Sequence, residues 1–481
     1  MRQFNSLLYD QEKVKTCHLS HGSNWFKNTG GKIITTNLYS KLLVLSLNKF
    51  ACLDPYGIGI SYEADKPGWN DAMNGLPGLF GSGIGETIEL YRLISFLLEK
   101  GRKCENQELS LMTEFVLFLE EIKKVQDISD QFLYWDKTTS LLEDYRENIR
   151  FTSEGVKVIS VGNILPLLKK MFDRIFQALS KALDLGQGIY PTYLIYEPIN
   201  YEPILQNGQL KKNRYGYVNV DISSFKIKVL PHFLEAPARA LKTEITGLNK
   251  KTLHEKIIDT DLYDSRFRFF KTSVCLDEVG FEVGRITAFT KGWFERESNF
   301  LHMTYKYLLG LLEAGLYQEF FQEIKTNFIC FMDPEVYGRS ILENSSFLVP
   351  ANNPDSRLWG KGFVARLSGS TAEMLSMWHL MYFGKNIFRY KDGELSFRLA
   401  PILSGEFFDS DGQVQVMLFG KTRIVYINPD HQNTYDESTQ IKRMELFKGD
   451  QFYEVHGYEV GSNLAMKIRQ GEFQTIKVFF K

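Results

Sequence analysis

Asp65-Lys66-Pro67-Gly68-Trp69-Asn70-Asp71-Ala72-Met73-Asn74-Gly75-Leu76-Pro77-Gly78 places one carboxylate, Asp71, beside an indole and two amides in a stretch crowded with backbone-bending residues. Six glycines and two prolines fall between Pro67 and Gly85. Glycine accepts backbone angles that other residues resist, and it lets a ligand approach the main chain closely. Such a loop can fix a polar side chain in one direction and leave room in front of it. Two readings of Asp71 stand at this point: a structural turn whose carboxylate satisfies backbone amides, or an acid aimed into a site.

Outward from this loop the pattern becomes regular. Upstream, residues 31–62 are rich in β-branched and apolar side chains, as in Lys32-Ile33-Ile34-Thr35-Thr36 and Leu42-Leu43-Val44-Leu45-Ser46-Leu47, and predict strand or irregular structure leading into the loop. Downstream, Ile88, Leu90, Leu93, Ile94, Leu97 and Leu98 recur at helical spacing after Glu86. Similar periodicity predicts helices over 107–125, 128–149, 162–184, 232–246, 251–260, 299–327 and 370–384. Tyr and Ile alternation between 189 and 230, with an Asn207-Gly208 turn, predicts a β excursion. Beyond residue 386, Glu394-Leu395-Ser396-Phe397-Arg398-Leu399 and Val414-Gln415-Val416-Met417-Leu418 alternate between Asp-Gly turns, which predicts a β-sandwich or jelly roll.

A chain of 481 residues has room for two or three domains. Lys and Arg total 57 against 58 Asp and Glu, and no block of like charge stands out, which argues against a nucleic-acid or anionic-membrane surface. The five cysteines are widely spaced without a Cys-x-x-Cys pair, which argues against zinc and against a disulfide framework. Met1 to Ser6 lacks the apolar core of a signal peptide, and no apolar run approaches the roughly 20 residues that span a bilayer. These features predict a cytoplasmic, soluble protein that uses no metal.

Two further segments carry chemistry. Gly292-Trp293-Phe294-Glu295-Arg296-Glu297-Ser298-Asn299-Phe300-Leu301-His302 starts a helix on which His302 shares a face with Tyr305, Leu308, Leu309 and Leu312. A core histidine satisfied by a neighbour and a ligand-binding histidine both fit that position. In Arg366-Leu367-Ser368-Gly369-Ser370-Thr371-Ala372-Glu373-Met374, Ser370 and Glu373 have capping-box spacing ahead of an apolar helix. This is either an ordinary helix cap or a helix start whose free N–H groups hold an anion.

Trp69-Asn70-Asp71, followed by Asn74 and by Gly85-Glu86 at a helix start, resembles the Trp-Asn-Asp loop of the cellobiose phosphorylase family, the inverting β-glucoside phosphorylases. Lys66-Pro67-Gly68-Trp69-Asn70-Asp71 is most similar to the large oligosaccharide-phosphorylase branch. The resemblance implies a mainly α chain with a β domain: a lead-in over 1–62, part of an (α/α)6 barrel over 63–385, and a β-sandwich over 386–481. It implies that Asp71 is the general acid, that Trp69, Asn70 and Glu295 hold sugar, and that His302, Ser368 and Gly369 hold phosphate. Glu295 and His302 keep the family's seven-residue spacing, and Ser368-Gly369 matches a Thr-Gly pair. The family's Arg-Glu-Asn-Gly-Gly around the glutamate is not kept, since Phe294 precedes Glu295 and Arg296-Glu297-Ser298 follow it.

The implied reaction is reversible phosphorolysis of β-glucan oligosaccharides to α-glucose 1-phosphate, with inorganic phosphate as co-substrate and no cofactor. The resemblance covers residues 45–481 and only the carboxy-terminal half of the family's proteins. It therefore also implies either a split enzyme working with a separate chain that carries the amino-terminal half, or a non-catalytic remnant that binds glucan. A hydrolase on the same barrel is the remaining alternative.

Overall fold

Residues 31–62 carry a helix where strand or irregular structure was expected. In the computed structural model, which describes residues 25–63, 66, 68–150, 152–213, 216–364 and 369–481, Leu38–Phe50 is a 13-residue α-helix. Asn37 caps it by accepting a hydrogen bond from the Ser40 N–H. The apolar run around Val44 masks the helical repeat, but the residues that become buried, Leu43, Leu47 and Phe50, lie on one 3.6-residue stripe.

The strands Ile60–Ser61 and Ser82–Gly83 pair antiparallel, Ile60 with Gly83 and Ser61 with Ser82, so both ends of the Asp71 loop are anchored in one sheet. Ser82–Gly83 pairs in turn with Tyr193–Pro203, which pairs with Val220–Val229 at the edge. Asp54 fastens this sheet from behind. Its buried carboxylate accepts from the N–H groups of Ile58 (2.9 Å) and Gly59 (2.6 Å) and from Ser82 Oγ (2.8 Å), and Tyr196 Oη adds a further bond. The predicted β excursion is this long ribbon, and Asn207 and Gly208, both with positive φ, turn the small hairpin Leu205–Gln206 to Gln209–Leu210.

From Gly83 the chain enters the helix Ile84–Lys103, which buries Ile88, Leu90, Ile94, Leu97 and Leu98 as the spacing predicts. Helices also form over Gln131–Asn148, Leu165–Leu185, Glu235–Leu241, Lys250–Ile258 and Gly369–Phe383, near the expected ranges. Two expectations change. Glu108–Met112 is a strand paired with Val156–Ser160, because its side chains are buried at every second position, and the helix begins at Thr113. The stretch 299–327 splits into Leu301–Glu313 and Tyr317–Asn327 at Gly315, whose φ of +80° ends the first helix.

Beyond residue 386 the chain is β-rich, as expected. A five-stranded sheet takes the order Gln413–Leu418, Thr422–Ile427, Thr475–Phe480, Ile441–Lys448, Gln451–His456, with one parallel pair between Thr422–Ile427 and Thr475–Phe480. A three-stranded sheet and the helix Ser462–Gln470 accompany it. With 40% helix and 23% strand the content is mixed α and β, and no sheet closes on itself among the described residues. The chain divides into two units, Met1–Tyr307 with Asp333–Ala365, and Leu308–Met332 with Arg366–Lys481. No helix among the described residues is long and apolar enough to cross a membrane.

Candidate active site

Asn70, rather than Asp71, does the backbone capping in the opening loop. Its Oδ1 accepts from the Ala72 N–H at 3.2 Å and starts a short 3-10 turn, Asp71–Met73. Ala72, Met73 and Leu76 then sink into a core cluster with Tyr193, Phe233, Val283 and Ile286. That burial anchors the turn and leaves Asp71 outside, with 71% of its side chain exposed. Its Oδ2 accepts from Arg285 Nη2 at 2.8 Å. The segment bearing Arg285 locks against the loop: Asn74 Oδ1 accepts from the Arg285 N–H (3.0 Å), and the Gly75 N–H donates to the Val283 carbonyl (3.0 Å). Gly284 fits between them only because it lacks a side chain. Its φ is +130°, and a Cβ there would lie 2.6 Å from Asn74 N and 2.7 Å from the Ala72 carbonyl oxygen.

Glu295 stands in a loop held in unusual backbone geometry. Phe294 and Glu297 both have positive φ, +51° and +58°, an arrangement that needs outside support. The support comes from the residues that depart from the family pattern. Arg296 donates through Nη1 to the carbonyls of Thr287 (2.8 Å) and Phe289 (3.0 Å) and through Nη2 to Asp277 (2.7 Å). The Glu297 carboxylate, buried at 1% exposure, accepts from the Leu276 N–H (3.1 Å) and Asn352 Nδ2 (2.8 Å). Arg296 and Glu297 are therefore ties, and Glu295 beside them is half-buried.

The two segments meet in one cavity of about 160 Å³, lined by Trp69, Asn70, Asp71, Glu295, Phe300 and His302. The Trp69 ring lies 5.4 Å from Phe300 and 5.6 Å from His302, edge-on to the latter, so a group of rings lines it. Five of the seven residues expected at the site thus stand together. Ser368 lies outside the described residues. Gly369 opens the helix Gly369–Phe383 in the other unit, so Ser370 falls inside the first turn rather than at its cap.

The electrostatics are polarised. Burial, reinforced by Asp71 and opposed by Arg285, pushes the Glu295 carboxyl above its usual range. His302 is pushed down to about 4, first by burial and then by the cations Lys306, Lys242 and Arg239. A neutral imidazole results, offering one donor and one acceptor nitrogen. Lys306 Nζ also sits 5.6 Å from the centre of the Trp69 ring. Glu295 therefore feels Asp71 and Arg285, whereas the neutral histidine feels the cations Lys306, Lys242 and Arg239.

Lys306, four residues beyond His302 on the same helix, was within reach of helical spacing. Arg285, Arg239 and Lys242 gave no local signal. Asn70 Nδ2 is buried without a hydrogen-bond partner among the described residues, in a residue only 2% exposed. A buried donor left unmade costs about 1–3 kcal/mol.

Cys275, Asp277 and Glu297 bring ligand atoms within 4.8 Å of one another. Cations already answer them: Lys291 Nζ lies 3.6 Å from Cys275 Sγ and pairs with Asp277, while Arg296 pairs with Asp277 and Glu297. No family model matches this chain, and no curated protein matches it.

Proposed function

We propose that this chain catalyses reversible, inverting phosphorolysis of β-glucosidic bonds in glucan oligosaccharides. The supporting observation is the meeting of Asp71, Glu295 and His302 in one cavity that Trp69 and Phe300 also line, with Lys306, Lys242 and Arg239 acting on His302 from outside that lining. An inverting displacement needs a proton donor at the leaving oxygen and a nucleophile on the opposite face of the sugar. Phosphate is already an anionic nucleophile, so a phosphorylase needs the acid and an anion site and no base.

Asp71 protonates the glycosidic oxygen while phosphate at the His302 end attacks the anomeric carbon. The carbon–oxygen bond to the leaving sugar breaks, and α-glucose 1-phosphate forms. Arg285 occupies Asp71 Oδ2, so Oδ1 is the oxygen that delivers the proton. Trp69 gives the sugar ring an apolar face, while Asn70 and Glu295 hold its hydroxyls. The same proposal makes the helices of 63–385 part of an (α/α)6 barrel and the strands after 386 a β-sandwich.

The second carboxylate in the cavity favours one other reading, an inverting hydrolase in which Glu295 activates water. The cations around His302 favour phosphate. The experiment that separates them measures phosphate release from α-glucose 1-phosphate with β-1,2-, β-1,3- and β-1,4-glucan oligosaccharide acceptors. Phosphate release with one acceptor class supports the phosphorylase. Glucose release from the oligosaccharide at a rate independent of phosphate supports the hydrolase.

A further inference from the structure

The main chain just before Trp69 rests on a carboxyl group that the proposed reaction does not use. Gly68 has a φ of +85°, and a Cβ there would lie 2.8 Å from the Tyr62 ring and 3.1 Å from Glu86 Oε1. Glu86 stands in the first turn of the helix Ile84–Lys103, half-buried, and its Oε2 accepts from Tyr62 Oη at 3.3 Å. It thus forms the floor beneath the segment that leads into Trp69-Asn70-Asp71.

On its other side Glu86 faces a charge cluster built on two further elements. The helix Glu235–Leu241 presents Glu235, itself 3% exposed, and Arg239, whose Nε (3.1 Å) and Nη2 (2.8 Å) both donate to Glu235 Oε1. Arg239 Nη1 reaches Glu89 Oε1 at 3.1 Å. From the strand Tyr193–Pro203, Tyr193 Oη donates to Glu235 Oε2 at 3.3 Å. A Cβ on Gly85 would touch Arg239 at 3.1 Å, so the start of the helix packs directly on this cluster.

Three carboxylates therefore share one guanidinium, and its fork is spent on Glu235 and Glu89. Burial and Glu235 hold the Glu86 carboxyl up to about 7, with Arg239 and the helix start opposing. A second negative charge beside Glu235 is relieved by moving Glu86 toward solvent or by drawing Arg239 away from its partners. Gly68 packs against Glu86 Oε1, so a displacement of that carboxylate on this side is passed to the Gly68 main chain.

We propose that Glu86 is a positioning residue for Trp69-Asn70-Asp71: in its neutral form it seats the segment, and its ionisation unseats it. The catalytic part of this proposal rests on the role given above to Asp71. The seating of the loop does not, and it can be measured separately.

Trp69 is the local reporter, and subtracting the emission of Trp69→Phe isolates it from the other tryptophans. Between pH 6 and 8, Trp69 emission titrates with a midpoint near 7 in the wild-type chain and is flat in Glu86→Gln. The same titration in Glu86→Gln, or none in the wild type, overturns the proposal. In phosphorolysis, Glu86→Ala lowers kcat by ~10- to 100-fold with KM little changed, as expected for a misplaced acid. Glu86→Gln restores most of that loss and removes the neutral-pH limb of the rate profile. An alanine variant that folds and turns over like the wild type contradicts the positioning role. If Trp69 titrates as stated but the wild type shows no phosphorolysis, the function assigned to Asp71 fails and the seating by Glu86 stands.

Discussion

Gly284→Ala, compared with Gly155→Ala, tests whether the Asp71 loop is held by close packing against the 281–289 segment. Both glycines have strongly positive φ, +130° and +148°, so alanine strains the backbone at either place by about 1–3 kcal/mol. Their surroundings differ. A Cβ at 155 meets nothing within 4 Å, whereas at 284 it lies 2.6 Å from Asn74 N and 2.7 Å from the Ala72 carbonyl oxygen. Those are main-chain atoms that cannot rotate away, and forcing them apart adds about 1–3 kcal/mol.

Gly284→Ala should therefore destabilise by about 2–6 kcal/mol and Gly155→Ala by about 1–3 kcal/mol. Equilibrium urea unfolding followed by tryptophan emission measures both. Of the six tryptophans only Trp378 lies outside the unit that holds the two glycines, so the signal reports the right part of the chain. Gly284→Ala should also lower kcat, because the displaced atoms belong to Ala72, inside the turn that presents Asp71, and to Asn74, which ends it. Equal destabilisation by the two variants, or full activity in Gly284→Ala, would refute this account of the loop.

Three other outcomes follow from the electrostatics. Glu86 has a folded value near 7 against an ordinary 4.5, so the folded chain binds its proton more tightly than the unfolded chain does. The contribution of Glu86 to stability, read relative to Glu86→Gln, is then greatest below about pH 4.5 and is lost as pH rises through 7, by ~1–3 kcal/mol in total; parallel stability–pH curves for the two proteins would contradict this. Lys306→Gln removes the largest charge acting on His302, so its pKa should rise from about 4 yet stay below 6.5, because burial is the larger cause; the imidazole proton resonances followed by NMR report it, and an unchanged value would place Lys306 outside the site. Asp71→Asn should reduce turnover of a natural leaving group by ~10²- to 10⁴-fold while leaving the melting temperature unchanged, since the side chain is largely exposed.

The site was legible in the sequence where chemistry sits in short segments. Trp69-Asn70-Asp71 and the Glu295–His302 spacing are local patterns, and the chain brings both into one cavity. What stayed hidden is tertiary. Arg285 reaches Asp71 across 214 positions, and Arg239 and Lys242 act on His302 from another helix. The departures at Arg296 and Glu297 were visible, but their use as ties required Thr287, Phe289, Leu276 and Asn352 to be in place. In the fold, long amphipathic helices such as Leu165–Leu185 could be read from periodicity. Leu38–Phe50 could not, because dense apolar residues on neighbouring positions hide a 3.6-residue stripe. The strand Glu108–Met112 was absorbed into the helix that follows it for a related reason: five residues of period-two burial are too few to stand out before a long helical pattern.

The central claim is that the cavity uses phosphate where a hydrolase would use water. Incubating the chain with β-glucan oligosaccharides, with and without inorganic phosphate, and quantifying both α-glucose 1-phosphate and free glucose tests it most directly. The account predicts α-glucose 1-phosphate only when phosphate is present, and its loss in Asp71→Asn. Free glucose formed at the same rate without phosphate would contradict it.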